Sequence, residues 1–137
     1  MLHEQLDDLV RIGQLKEEAA YREEIAGLAR SGRARLADCK NKTLSKESRF
    51  DLAYNAAHAL ALTALRAAGY RAEHRYLVFQ CTQHTLNLPG EQWRVLDDAH
   101  RKRNMAEYEG GLDIDDALLE ALIRVTDELA VRVQKLG

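Results

Sequence analysis

Proline and aromatic residues are scarce in this sequence. Its 137 residues include one proline, Pro89, and aromatic residues make up only 6%. Alanine, leucine, glutamate and arginine are plentiful instead, and these residue types favour helices. The composition therefore predicts a helical protein, and the length favours a single domain over residues 1–137.

Cysteines and long apolar segments are also few. Cys39 and Cys81 are the only cysteines and form no C-x-x-C pattern, which is typical of a protein from a reduced compartment. The N-terminal residues are acidic and lack the apolar core of a signal peptide. No stretch approaches the roughly 18 uninterrupted apolar residues that predict a membrane span. We therefore expect a cytoplasmic protein with no membrane partner.

Acidic and basic residues are unevenly distributed, although the net charge is only −2. Residues 30–49 contain seven lysines and arginines against two acids, whereas residues 107–128 contain eight acids against one arginine. The small net charge excludes a protein that binds nucleic acid through its overall charge. The basic segment has two interpretations: a solvated face, which we favour, or a surface that contacts an RNA backbone.

Apolar residues recur at intervals of three and four over most of the chain, the pattern of amphipathic helices. Residues 76–83 alone could form a strand, but no second candidate exists to pair with them, so we expect helix there. We predict an all-α fold, an antiparallel up-and-down bundle of four to five main helices plus a short N-terminal helix. Residues 1–20 are either an N-terminal extension or a cap on the bundle. The predicted helices cover residues 2–12, 15–39, 46–69, 73–87, 91–108 and 114–136.

Capping residues locate several helix ends. Ser45 is a suitable N-cap for the helix that follows it, and Gly69 is a suitable C-terminal stop. Asp113 or Asp115 begins the last helix, and the glycine pair 110–111 ends the one before. The helix that begins after Ser45 carries many alanines on its apolar stripe, which predicts that a neighbouring helix approaches closely.

Arg103 is a charged residue at a position where the helix pattern predicts burial. In a helix over residues 91–108, it falls on or near the apolar stripe that should be buried. A buried guanidinium needs a partner, because an unpaired buried charge is costly. The partner is an acid at the edge of the core such as Asp51 or Asp98, a ligand phosphate, or water in a cleft.

Asn104 and Tyr108 continue the polar side of the same helix. They are four residues apart and can share a face, whereas Arg103 and Tyr108 are separated by about 140° around the helix. Arg103 and Tyr108 meet at one cleft only if the helix ends or kinks between them, or if two chains contribute. The alternative is that Tyr108 packs on the next helix as a helix-end aromatic.

The other candidates for chemistry are weaker. His58 and His84 lie beside apolar residues and are predicted to be packing histidines. Asp97 and His100 have the spacing of a helical metal-ligand pair, but a di-metal bundle needs two such motifs and only one occurs. The sequence contains no glycine-rich phosphate loop and no nucleophile signature. We therefore expect no metal and no cofactor.

Three segments together resemble a known family. They are residues 48–71 (SRFDLAYNAAHALALTALRAAGYR), 74–86 (HRYLVFQCTQHTL) and 96–122 (LDDAHRKRNMAEYEGGLDIDDALLEAL). They are similar to successive helices of the HEPN superfamily (higher eukaryotes and prokaryotes nucleotide-binding domains), in a small uncharacterised prokaryotic branch. The three segments occur in the family's order, and the resemblance covers about residues 25–136.

The resemblance implies a helical domain that dimerises and binds RNA or nucleotide phosphate in a cleft at the dimer interface. Many members are metal-independent ribonucleases, often toxins of toxin–antitoxin or defence modules whose partner is a small nucleotidyltransferase. Arg103 and Asn104 match the first half of the catalytic signature, and Tyr108 stands where the family has a histidine. A tyrosine, with a reference pKa of about 10, is a poor general base at neutral pH but can donate a hydrogen bond to phosphate.

Two hypotheses of function follow. In the first, the chain is a homodimer whose Arg103, His100 and Lys102 contact RNA or a nucleotide. If it is also a metal-independent endoribonuclease, Arg103, Asn104 and Tyr108 form the catalytic set. In the second, the chain is a non-enzymatic bundle that docks a nucleotidyltransferase-like or other protein partner.

Overall fold

The structure is a computed structural model that describes residues 3–109 and 114–136, and their side chains except those of residues 107–109. Within these ranges the fold is all-α apart from one short two-stranded ribbon, which confirms the predicted class. The elements are α1 (Glu4–Arg11), β1 (Lys16–Glu17), α2 (Arg22–Cys39), α3 (Lys46–Ala67), β2 (Tyr70–Arg71), α4 (Arg75–Gln80), α5 (Thr82–Thr85), α6 (Gly90–Glu109) and α7 (Asp116–Gln134).

The long helices α2, α3, α6 and α7 alternate in direction along the chain. The start of α2 meets the end of α3, and the end of α7 meets the segment just before α6, so each of these pairs is antiparallel. The first turns of α3 and α7 lie together, so these two helices run in the same direction. This is the predicted up-and-down arrangement. The contacts that define it are Glu24–Arg66, Arg132 with the carbonyl of Leu86, and Lys46–Asp116.

The central helix is α3, of whose 22 residues 12 are buried. Its alanines allow α2 to lie close, as predicted. A Cβ atom on Gly32 of α2 would lie 2.8 Å from Cγ of Leu60 and 3.4 Å from the carbonyl oxygen of Ala56. The alanines of α3 that are fully buried are Ala53, Ala56, Ala57 and Ala61.

Polar side chains and glycine set the ends of the long helices. Ser45 accepts a hydrogen bond from the backbone N–H of Ser48 at 3.1 Å, and Asp115 accepts one from that of Leu118 at 2.7 Å. Gly69 follows α3 with a φ of +92°, a conformation that glycine adopts at little cost. Ser45, Asp115 and Gly69 are thus confirmed as helix-end residues. Residues 110–113, which include the predicted glycine stop and Asp113, lie outside the described residues.

The helix predicted over residues 15–39 begins only at Arg22, which corrects the sequence-based boundary. Residues 16–17 instead pair with β2 as an antiparallel ribbon, with Lys16 opposite Arg71 and Glu17 opposite Tyr70. The sequence pattern had indicated no strand at these residues. The earlier strand candidate, residues 76–83, is helical as predicted.

The helix predicted over residues 73–87 is divided at Cys81 into α4 and α5. Thr82 donates from its hydroxyl to the carbonyl of Phe79 at 2.6 Å, and Thr85 donates to that of Cys81 at 3.2 Å. Threonine side chains that bond the preceding turn compete with the regular helical ladder and bend it. The short helices fill the space between α3 and α6.

The N-terminal segment packs against the bundle. Leu6 of α1 and Leu15 before β1 are both buried in the common core. The hydroxyl of Tyr70 in β2 donates to the carboxylate of Asp7 at 2.5 Å. The described residues 3–20 therefore pack against the bundle.

The basic residues of the segment 30–49 meet the acidic residues of α7. Lys40 pairs with Asp127 at 2.7 Å, Lys46 with Asp116 at 3.3 Å, and Arg49 with Glu120 at 4.0 Å. The uneven charge distribution along the sequence is thus partly balanced inside the fold. None of the described helices is both long and apolar enough to cross a membrane.

Candidate functional site

A groove with a cavity volume of about 630 Å³ opens beside the middle of α3, between α4 and α6. We call it the Tyr54 groove, after the tyrosine at its base. Its lining combines cationic, aromatic and amide side chains with one acid, Glu73, which pairs with Lys16 at 2.9 Å. The described residues that line it are Gln14, Tyr54, Glu73, His74, Arg75, Tyr76, Leu77, His100, Arg103 and Asn104.

Two arginines converge on the ring of Tyr54. The guanidinium carbon of Arg103 lies 4.7 Å from the ring centroid and that of Arg75 lies 5.7 Å from it. Both distances suit cation–π attraction. Tyr54 is only 2% exposed, so its ring is a fixed support that holds two positive charges at the groove.

Arg103 also lies near an acid of its own chain. Its Nη1 is 3.5 Å from Oδ1 of Asp51, one of the two acids proposed from the sequence. The other, Asp98, pairs with Arg101 at 2.6 Å. The Asp51 contact is an ion pair without a hydrogen bond: Nη1 of Arg103 is buried and donates to no acceptor among the described residues. A buried donor left in this state costs about 1–3 kcal/mol.

His100 connects Tyr54 to Asn104. Its Nδ1 is 3.0 Å from the hydroxyl oxygen of Tyr54, and its Nε2 is 3.2 Å from Nδ2 of Asn104. Because the Asn104 amide nitrogen can only donate, Nε2 accepts, and the neutral imidazole carries its proton on Nδ1. Burial lowers the pKa of His100, and the positive charges of Arg75 and Arg103 lower it further, against the opposing effect of Asp97.

The structure brings together three of the five residues singled out from the sequence. Arg103, Asn104 and His100 line the Tyr54 groove. Lys102 is not among the described residues that line it. The side chain of Tyr108 lies outside the described part of the chain.

Sequence reasoning missed Arg75, Tyr76 and the position of Tyr54 in the site. Arg75 and Tyr76 are in the first turn of α4, and their signal was an adjacent basic and aromatic pair just after a histidine. Tyr54 lies on the apolar stripe of α3 and looked like core. Only the packing of α4 and α6 against α3 brings these residues to one groove.

Of the two histidines predicted to pack, His58 contacts an aromatic ring and His84 is half-buried. His58 stacks edge to face on Phe79 with ring centroids 5.8 Å apart, and burial is the main cause that lowers its pKa to about 4. Burial also lowers the pKa of His84. Over the described residues, no group of three or more His, Cys, Asp or Glu side chains is placed to hold a metal ion. Asp97 pairs with Arg101 at 3.1 Å.

No family model, curated protein or solved structure matches the chain. A function for the chain therefore rests on the residues of the groove.

Proposed function

We propose that the chain binds the phosphate of RNA or of a nucleotide in the Tyr54 groove. One observation carries the proposal: the guanidinium groups of Arg75 and Arg103 converge on the ring of a buried tyrosine at the base of an open groove. Arginine presents several N–H donors in a planar fork that matches phosphate oxygens. The fixed aromatic support lowers the entropy that each arginine loses on binding.

The incomplete pairing of Arg103 with Asp51 supports a phosphate ligand over a purely structural ion pair. Asp51 lies close enough to attract Arg103 but does not accept a hydrogen bond from Nη1. The Arg103 side chain is 30% exposed, so its accessible N–H groups can donate charge-assisted hydrogen bonds to a phosphate oxygen. Asn104, at the groove surface, would orient either the phosphate or the imidazole of His100.

The resemblance to the HEPN superfamily supports the same site, because Arg103 and Asn104 are the residues that match its signature. It extends the proposal to a homodimer and to a toxin–antitoxin or related defence module. Cleavage of RNA is a separate proposal that involves Tyr108. Docking of a nucleotidyltransferase-like protein by a non-enzymatic bundle is the alternative function.

Binding of a fluorescent single-stranded RNA of about ten nucleotides, followed by anisotropy, tests the site. We expect Arg103→Gln to weaken binding about tenfold or more, because one charge-assisted contact contributes about 1.5–3 kcal/mol. The matched control is Arg101→Gln on the same helix, since Arg101 is exposed and bonds Asp98. The control should bind like the parent protein.

Equal affinity of the two variants would reject the groove as the phosphate site. Incubation of the parent protein with the same RNA in a chelator then tests metal-independent cleavage. Absence of RNA binding together with a stable co-purifying protein would favour the interaction-bundle alternative.

A further inference from the structure

Tyr76 presents an aromatic ring beside the two arginines of the Tyr54 groove. It lies in the first turn of α4, next to Arg75 in sequence, and 43% of the residue is exposed. Large aromatic residues are usually buried or partnered, because exposed apolar surface is unfavourable. An exposed ring within a cationic groove is therefore a candidate contact for an apolar part of the ligand.

The ring of Tyr76 is held in place from two sides. Trp93 of α6 contacts it edge to face with ring centroids 5.9 Å apart, and His100 contacts it at 6.1 Å. A ring that is already held loses little conformational freedom when a second ring stacks on it. Its exposed surface is thus suited to act as a stacking platform.

His100 joins the platform to the phosphate-binding cluster. The same imidazole contacts Tyr76 and bonds Tyr54, on which the guanidinium groups of Arg75 and Arg103 converge. A planar aromatic group and an anionic group of one ligand could therefore be bound together. The groove volume of about 630 Å³ lies within the usual range for small-molecule sites, about 300–1,000 Å³.

We propose that Tyr76 is a stacking platform for an unpaired nucleobase, so that the groove binds a nucleotide unit of single-stranded RNA by its base as well as its phosphate. This inference rests on the proposed phosphate site. Phosphate ligands without a base should bind more weakly than single-stranded RNA does. A base paired in a duplex cannot occupy the platform. The chemistry is that of single-strand binding, in which aromatic stacking supplements arginine contacts to the backbone.

Two probes of equal length and charge test the platform: a single-stranded RNA and an abasic strand with the same sugar–phosphate backbone. Tyr76→Ala should weaken binding of the RNA about 5- to 150-fold, since stacking contributes about 1–3 kcal/mol per base. It should leave binding of the abasic strand nearly unchanged. Tyr76→Phe, which keeps the ring, should bind both probes like the parent.

Tyr21→Ala is the matched control, because Tyr21 is 79% exposed at the start of α2 and does not line the groove. It should not change either affinity. Equal losses for both probes in Tyr76→Ala, or no loss for the RNA, would overturn the platform. Failure of the phosphate site would give a different result: Arg103→Gln would bind the abasic strand as tightly as the parent does.

The parent protein provides a second measurement that does not depend on a variant folding. Trp93 is the only tryptophan, and its ring contacts Tyr76. Stacking of a base on Tyr76 should change the fluorescence of Trp93 when saturating RNA is added, whereas the abasic strand should leave it unchanged. The same response to both probes would contradict a base at this position.

Discussion

Burial changes the acid–base properties of His58. The side chain packs on Phe79, and burial, with smaller effects from Arg75 and His100, lowers its pKa from 6.5 to about 4. Between these values the unfolded chain binds a proton that the folded protein excludes. The free energy of unfolding must therefore fall as the pH drops through this interval.

We predict that His58→Gln reduces this loss of stability. Between about pH 7 and pH 4.5 the parent should lose about 2–3 kcal/mol more than the variant, because each pKa unit corresponds to about 1.4 kcal/mol. Urea unfolding at the two pH values measures the difference. Equal losses in the parent and the variant would show that His58 does not titrate as described.

Arg103 illustrates how far a site could be predicted from residues alone. Helical periodicity placed it on the buried side of its helix and so required a partner, but it could not choose between Asp51, Asp98 and a ligand. That choice depends on which residue of α3 lies opposite α6, and local sequence does not encode this register. Arg75 and Tyr76 were missed for the same reason.

Gly32 and Gly27 are two glycines of α2 that lie in different surroundings. Both lie within α2, where alanine would be favoured by about 0.5–1 kcal/mol. Their surroundings differ, because a Cβ on Gly32 would lie 2.8 Å from Cγ of the fully buried Leu60, whereas one on Gly27 would meet only the end of the Arg30 side chain at 3.8 Å. Helix propensity therefore decides the effect of alanine at Gly27, whereas packing against Leu60 decides it at Gly32.

We predict opposite effects of the two substitutions. Gly27→Ala should stabilise the protein by about 0.5–1 kcal/mol. Gly32→Ala should destabilise it by about 1–2 kcal/mol, since the overpacking cost of about 1–3 kcal/mol exceeds the gain in helix preference. Chemical unfolding measures both changes. Stabilisation by Gly32→Ala would mean that α2 and α3 separate more easily than their contact indicates.

The helices themselves were largely predictable, and the errors occurred where tertiary contacts override periodicity. Residues 16–17 have no strand pattern of their own and pair only because the turn at Gly69 brings β2 beside them. The division at Cys81 depends on hydroxyl bonds from Thr82 and Thr85, which apolar spacing does not reveal.

Arg66 joins distant parts of the whole molecule. It is 3% exposed and bonds Glu24 at 2.9 Å. It also donates to the backbone carbonyls of Glu18, Ala19 and Tyr70. The Arg66 side chain thus joins the N-terminal segment and the ribbon to α2 and α3. The pairing raises the pKa of Arg66 through its bond to Glu24, so the charge is retained at all ordinary pH values.

We predict that Arg66→Ala destabilises the fold by about 3 kcal/mol or more, because the buried guanidinium makes hydrogen bonds to one carboxylate and three backbone carbonyls, each worth about 0.5–1.5 kcal/mol. The matched control is Arg71→Ala, which removes an exposed arginine paired with Glu18 and should cost less than about 1 kcal/mol. Thermal and urea unfolding compare the two. Similar small losses would show that Arg66 does not hold the N-terminal segment, which its other contacts, such as the burial of Leu6 and Leu15 and the Tyr70–Asp7 hydrogen bond, then anchor.

The sequence by itself determined the helical class, most of the helix ends and the fact that Arg103 needed a partner, since these depend on local spacing and on capping residues. The tertiary structure decided that Asp51 rather than Asp98 lies beside Arg103, that three basic residues of segment 30–49 pair with α7, and that the Tyr54 groove is assembled. Those features depend on which helix faces lie opposite each other. Such contacts join residues far apart in the chain, and packing of the whole core fixes them.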